Sequence, residues 1–127
     1  MIPTSQQVKK IGKFLFRNLG GAQSIKFTAN MCDIKFLILY QLPYEVQYLK
    51  NGREKNDVHE MLLDLNITTY QNKIRVNVIE VTPEEKTLGY DLFEPEVAQN
   101  LPLAKSLIYD RVVKRVARAY KDYNFLI

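Results

Sequence analysis

Hydrophobic and polar side chains alternate through the middle of this chain, and a period of two requires a fold built on β-strands. The alternation begins after Ser24, where Ile25 and Phe27 alternate with Lys26 and Thr28. Successive side chains of a strand point to opposite faces of a sheet, so this pattern predicts a strand with one buried face.

A hairpin is predicted from the positions of the apolar residues that follow. They occupy odd positions in residues 61–67 and even positions in residues 74–78. Both sets lie on one face only if odd residues pair with even ones, and a two-residue loop at residues 71–72 produces that pairing. We therefore expect Ile67 to lie opposite Val76.

Residues 33–42 are apolar on both faces if they form a strand, because Leu37 and Leu39 oppose the set that contains Phe36 and Ile38. Such a strand is central in its sheet or covered by a partner. Leu37 and Leu39 are therefore predicted to form a sheet-face interface with another protein. A helix stays open as the alternative, because periodicity does not separate the two structures in so short an apolar run.

Two further strands are predicted on either side of the hairpin. Pro43 interrupts the apolar run, so residues 44–49 are predicted to form a short strand and residues 50–56 a polar, mobile loop. The last strand spans residues 88–92, and Tyr90 is expected on its apolar side.

A period near 3.6 residues predicts a helix before the strands and another after them. Residues 5–19 have apolar side chains at helical spacing and are followed by two glycines that end the helix. Residues 101–123 form the second helix, with one apolar face and one basic face. The solvent side of the first helix carries Lys10, Lys13 and Arg17.

The predicted elements combine into one fold class. Their order is a helix, four or five strands and a helix, and 127 residues are enough for one hydrophobic core. Short connections favour antiparallel neighbours. The sequence therefore predicts a single α+β domain over residues 1–127. It is a two-layer sandwich in which an N-terminal helix and a C-terminal amphipathic helix cover one face of an antiparallel sheet.

Composition indicates an intracellular protein, and a cytoplasmic location is favoured. Cys32 is the only cysteine, so the chain forms no internal disulfide. No apolar run approaches the roughly 20 residues of a membrane span. A mitochondrial location is the alternative, because the basic N-terminal segment contains no acidic residue before Asp33. Lysine dominates that segment, however, whereas presequences favour arginine.

Catalytic and metal-binding patterns are missing from the sequence. His59 is the only histidine, and no serine or cysteine has the context of a nucleophile, so neither acid–base nor zinc chemistry is indicated. The acidic residues at 84–96 lack the spacing of a calcium loop. The sequence predicts no enzyme, no cofactor, no metal and no small-molecule substrate.

The second helix carries the strongest candidate binding residues, Arg111, Lys114, Arg115 and Arg118. Cations near a helix C-terminus complement its dipole, so a solvated helix face explains them. Arginines that project in one direction also bind carboxylates or phosphates in bidentate fashion. Both interpretations stay open.

The predicted function is a non-enzymatic protein-interaction or structural subunit of a larger intracellular assembly. It docks through a sheet face and the basic C-terminal helix onto an acidic partner, and the net charge of +4 is compatible with such a partner. The alternative is an RNA-binding or ribosome-associated protein that uses the same basic residues together with Lys10, Lys13 and Arg17.

Overall fold

The computed structural model describes residues 4–29, 34–81, 84–120 and 124–125. It confirms the predicted α+β fold of an N-terminal helix, an antiparallel sheet and a C-terminal helix. A 3₁₀ turn at Pro95–Gln99 precedes the second helix. The other elements in chain order are α1 (Thr4–Asn18), β1 (Ala22–Ala29), β2 (Ile34–Lys50), β3 (Arg53–Tyr70), β4 (Lys73–Glu80), β5 (Lys86–Phe93), α2 (Leu101–Ala119) and β6 (Asn124–Phe125).

The strands from β1 to β5 lie in the sheet in the same order as in the chain, and all neighbours are antiparallel. The short strand β6 pairs with β2 at Tyr44 and Glu45. α1 lies against β1, β2 and β3, α2 lies against β5, and both helices contact β4. Both helices cover the same face, which we name the core face, and the opposite face is named the open face.

Burial follows the alternation in residues 36–42 of β2, 61–67 of β3 and 74–80 of β4, where residues that face the helices are buried and most of their neighbours are more exposed. Each helix adds one apolar stripe to this core. The helical stripes consist of Val8, Ile11 and Leu15 on α1 and of Ala104, Ile108, Val112 and Val116 on α2. The sheet contributes Phe36, Ile38, Tyr40, Leu42, Met61, Leu63, Leu65, Ile67, Ile74, Val76 and Val78. The open face carries Leu37, Leu39, Leu62, Asp64, Asn66, Tyr70, Arg75, Asn77, Ile79, Tyr90 and Leu92.

The predicted hairpin is confirmed in its turn and in its register. Gln71 and Asn72 form the two-residue turn between β3 and β4, with φ of 47° and 62°. A type I′ turn requires such left-handed values at both positions. Ile67 lies opposite Val76, as the parity of the apolar residues predicts.

The apolar run predicted at residues 33–42 belongs to a strand that is much longer than predicted, since β2 spans Ile34–Lys50. β2 continues through Pro43, and β3 begins directly after a two-residue turn, so the prediction of a separate short strand and a loop at residues 50–56 is wrong. Asn51 and Gly52 form that turn, with φ of 53° and 73°. Pro43 is tolerated because β2 has lost its β1 neighbour at this point, and proline is accepted at such an edge.

The residues of β5 lie on the opposite faces of the sheet from those predicted. Asp91 lies opposite Val76 and therefore on the core face, while Tyr90 and Leu92 lie on the open face, 45% and 42% exposed. The expectation that Tyr90 lies on the core side is wrong because it assigns that side to apolar residues alone. A cation on α2 allows the carboxylate of Asp91 to occupy it instead.

The C-terminal helix is shorter than predicted, since α2 ends at Ala119. The predicted helical residues 121–123 lie outside the described residues, as does Cys32. In the described part of the chain, neither helix combines the length and the apolar character that crossing a membrane requires.

Gly12 allows α1 to approach the sheet closely. It is buried in the middle of α1, where glycine costs about 1 kcal/mol of helix stability relative to alanine. A β-carbon at this position would lie 2.5 Å from Cγ of Phe36, well inside the usual contact distance of about 3.5–4.0 Å. Phe36 in turn packs on Phe27, with ring centroids 4.7 Å apart. Close helix–sheet packing thus explains a residue that helix propensity disfavours.

We expect Gly12→Ala to lower the free energy of unfolding by about 1–3 kcal/mol, because overpacking against Phe36 outweighs the gain in helix propensity. Urea denaturation followed by circular dichroism measures the difference. Gly20→Ala is the matched control, since a β-carbon on Gly20 meets no atom within 4 Å. If Gly12→Ala were as stable as wild type, α1 would not rest on Phe36 as described.

Candidate functional site

Arg115, one of the predicted binding residues of α2, forms an ion pair within the protein. Its Nε and Nη2 atoms donate hydrogen bonds to Oδ2 and Oδ1 of Asp91 on β5, each at 3.0 Å. These hydrogen bonds raise the pKa of Arg115 above its ordinary value. Gly89 makes room for the arginine, because a β-carbon there would lie 3.1 Å from Cδ of Arg115. Arg115 thus joins α2 to β5, and the donors that face Asp91 are already occupied.

The other predicted cations of α2 remain at the surface. Lys114 pairs with Asp110 at 2.9 Å, and both side chains are largely exposed, so this pair contributes little to stability. Arg111 and Arg118 are exposed. Among the described residues, no carboxylate pairs with either of them.

The predicted cations of α1 are also exposed. α1 and α2 contact each other on the core face, so their solvent sides form one outer surface of the helix layer. α1 has no acidic residue, and α2 has only Asp110, so this surface attracts acidic groups. The basic helix surface, as we name it, consists of Lys10, Lys13, Arg17, Arg111, Lys114 and Arg118.

Leu37 and Leu39 lie on the open face, where neighbouring side chains of the sheet bury them in part. Leu39 lies opposite Asp64 on β3, and Asp64 lies opposite Ile79 on β4. Both described helices lie on the other side of the sheet. Within the described chain, these apolar side chains therefore have no covering layer.

One arginine lies between two tyrosines on the open face. Cζ of Arg75 is 4.2 Å from the ring centroid of Tyr90 and 5.2 Å from that of Tyr70. A cation is attracted to an aromatic face at such distances. Nε of Arg75 also donates a hydrogen bond to Oδ1 of Asn77 at 3.1 Å. These contacts hold three large side chains in fixed positions on an exposed surface.

One buried polar atom on the open face lacks a hydrogen-bond partner, and a carboxylate near it is poorly solvated. Oδ1 of Asn66 is buried and accepts no hydrogen bond. On the same strand, burial raises the pKa of Asp64, and the charge of Glu85 raises it further. Unpaired buried acceptors and poorly solvated carboxylates destabilise a folded protein. A hydrogen-bond donor from another molecule would therefore be stabilising at both positions.

No group of three or more His, Cys, Asp or Glu side chains that could hold a metal ion occurs among the described residues. His59 lies on the exposed part of β3. Its ring stacks on that of Tyr44 across the β2–β3 hairpin, with centroids 5.6 Å apart. The surroundings of His59 are thus those of a cross-strand aromatic pair.

No protein-family model, curated protein or solved structure matches this chain. The candidate sites are therefore those that its own surfaces define.

Sequence reasoning identifies the basic helix surface and the two leucines of the open face. It misses the stack around Arg75 because Tyr90 is expected on the core side. The polar face of the predicted hairpin already contains Arg75 and Asp64. The parity of the hairpin does not show, however, which side chains of other strands lie beside these two residues. That information requires the positions of neighbouring strands.

Asp64→Asn is expected to raise the free energy of unfolding at pH 7. A carboxyl whose pKa is raised by folding binds its proton more tightly in the folded state, so stability falls as pH rises above the unfolded pKa. The gain should be present at neutral pH and should vanish well below the ordinary pKa of 3.8, where both states are protonated. Urea unfolding at both pH values measures it.

Glu85→Gln serves as the comparison for Asp64→Asn. Since burial is the larger cause of the raised pKa and Glu85 the smaller one, this substitution is expected to give a smaller gain in the same direction. Equal stability of Asp64→Asn and wild type at neutral pH would contradict the described environment of Asp64.

Arg115→Gln is expected to lower the free energy of unfolding by about 1–3 kcal/mol, the range for hydrogen bonds of charged groups. The half-buried carboxylate of Asp91 then loses its cation. Arg111→Gln is the control on the same helix, and its stability should stay within about 0.5 kcal/mol of wild type. Thermal or urea unfolding measures the contrast. Equal effects of the two substitutions would argue against a structural role for Arg115.

Proposed function

We propose that this protein is a non-enzymatic interaction subunit of a larger assembly, which docks onto an acidic partner protein through its open face and its basic helix surface. The observation that carries the proposal is that the open face combines uncovered apolar side chains with poorly satisfied polar groups. There, apolar and aromatic side chains surround a buried acceptor without a donor and a carboxyl with a raised pKa. A partner that covers this face would bury the apolar groups and offer N–H donors to Asn66 and Asp64.

The composition of the open face supports protein docking. Leu37, Leu39 and Ile79 form its half-buried centre, which another surface can bury more completely. Tyrosine and arginine dominate the binding energy of many interfaces. The stack of Tyr70 and Tyr90 around Arg75 presents both residue types in fixed conformations, so less side-chain entropy is lost when a partner binds.

The basic helix surface supports the choice of an acidic partner. It lies on the opposite side of the sheet from the open face, so an assembly contacts this subunit from two sides. Arg111 and Arg118 pair with no described carboxylate. Carboxylates of a partner can therefore bind them without breaking an internal ion pair.

RNA binding is the second candidate function, because phosphates attract the same free cations, Arg111 and Arg118. The open face favours a protein partner. Asn66 and Asp64 need donors, whereas the phosphate backbone of RNA offers acceptors. A protein surface supplies donors for the open face and carboxylates for the basic helix surface.

The proposal predicts that substitutions on the open face reduce the recovery of partners in affinity purification. Leu37→Thr combined with Leu39→Thr removes apolar groups and keeps residues that suit a strand. The matched control is Leu49→Thr with Val58→Thr, which removes apolar groups from the β2–β3 hairpin, where they are 73% and 66% exposed. We expect about tenfold weaker binding for the open-face variant, which corresponds to 1.4 kcal/mol, and no change for the control.

Purification at low salt, with and without nuclease, separates the two candidate functions. Recovery that survives nuclease and falls only with the open-face variant supports the proposal. Recovery that disappears after nuclease treatment and decreases steeply with salt supports RNA binding and overturns it. Recovery that is unchanged for Leu37→Thr with Leu39→Thr also overturns docking through the open face. Circular dichroism establishes that both variants are folded.

A further inference from the structure

A groove between α1 and β1 combines an apolar floor with a cationic rim, and its volume is about 350 Å³. It lies on the helix side of the sheet and is therefore separate from the open face. Phenylalanine and isoleucine side chains form the floor, while the cations of α1 stand above it. The floor consists of Phe16, Ile25, Phe27 and Phe36, and the rim consists of Lys9, Lys13 and Arg17.

The charge around this groove has a single sign. None of the lining residues is acidic, and neither α1 nor β1 contains a carboxylate. Nζ of Lys9 lies 5.6 Å from the ring centroid of Phe27, so the rim and the floor are in contact. A ligand that fits must be both anionic and apolar.

The backbone of β1 offers a second binding element beside the groove. β1 lies at an edge of the sheet, and in the described part of the chain it pairs only with β2. The outer N–H and C=O groups of β1 therefore have no strand partner. An extended peptide can add to such an edge, where main-chain hydrogen bonds give affinity and alternate side chains give specificity.

We infer that the groove binds an acidic segment of a partner protein, which adds to β1 as an extended strand. One apolar side chain of the segment packs on Phe27 and Phe16, and its carboxylates pair with Lys13 and Arg17. The inference rests on the proposed function, because the segment belongs to the acidic partner, and it names the site on this chain that holds it.

A peptide fits the groove better than RNA does. A peptide backbone supplies both donors and acceptors to the edge of β1, whereas phosphates supply acceptors. Phe27, which is 43% exposed, and Phe16 offer an apolar surface beside the cations, which matches a segment with alternating apolar and acidic residues.

Peptide display on the full chain tests this inference, with a library of random short peptides as the probe. The selected sequences are expected to be enriched in Asp and Glu around one aromatic or large aliphatic residue. Fluorescence polarisation then measures their affinity for wild type and variants. Lys13→Gln with Arg17→Gln is expected to weaken binding about tenfold or more. The matched control, Lys50→Gln with Arg53→Gln at the hairpin tip, has the same change in charge and should bind as wild type does.

Amide hydrogen exchange reports on strand addition directly. A bound peptide is expected to slow exchange at outward-facing amides of β1 about tenfold and to leave β5 unchanged. Four results overturn the inference: selected sequences without acidic enrichment, binding without protection of β1, equal loss in the Lys50/Arg53 control, or tighter binding of an RNA oligonucleotide at the groove.

Failure of this inference differs from failure of the proposed function. If the Lys13/Arg17 variant binds peptides as wild type does while the Leu37/Leu39 variant loses partners, only the groove assignment is wrong. If the Lys13/Arg17 variant loses the peptides while the Leu37/Leu39 variant keeps all partners, docking through the open face is wrong and the groove assignment stands.

Discussion

Side chains of a β-strand alternate between two faces, so the helices that bury one face of this sheet leave the other without a covering layer among the described residues. The close approach of Gly12 to Phe36 shows how completely α1 uses the core face. Apolar residues that the alternation directs to the open face, such as Leu37 and Leu39, are buried only by neighbours within the sheet or by a partner. The way the core is built thus determines where the proposed interaction surface lies.

Much of the fold follows from alternation, and the rest involves contacts between residues far apart in the chain. The β3–β4 hairpin is predictable because both of its strands have a buried face and a two-residue loop fixes their parity. In the outer half of the β2–β3 hairpin, residues 53–60 of β3 are all exposed, so burial produces no alternation there. The Asn51–Gly52 pair is the remaining local signal for it, and it outweighs Pro43 because proline is accepted where a strand lacks one neighbour.

The candidate site, like the fold, is predictable from local patterns and not from contacts between distant residues. Helical spacing places Arg111, Arg115 and Arg118 on the solvent side of α2, but it cannot distinguish a free arginine from one that is already bound. Only the position of Asp91 on β5 shows that Arg115 is the one already bound. Its ion pair also explains why Tyr90 turns toward the open face and joins Arg75. The ion pair between Arg115 and Asp91 therefore removes a cation from the basic helix surface and adds the ring of Tyr90 to the open face.

The agreement between strand order and chain order has a consequence for folding kinetics. Each hairpin from β1 to β5 closes a short loop, so the sheet can assemble stepwise from local contacts. α1 is the exception, because its packing partners on β2, β3 and α2 all follow it in the chain. During synthesis, α1 therefore leaves the ribosome before the residues of β2, β3 and α2 that cover its apolar side.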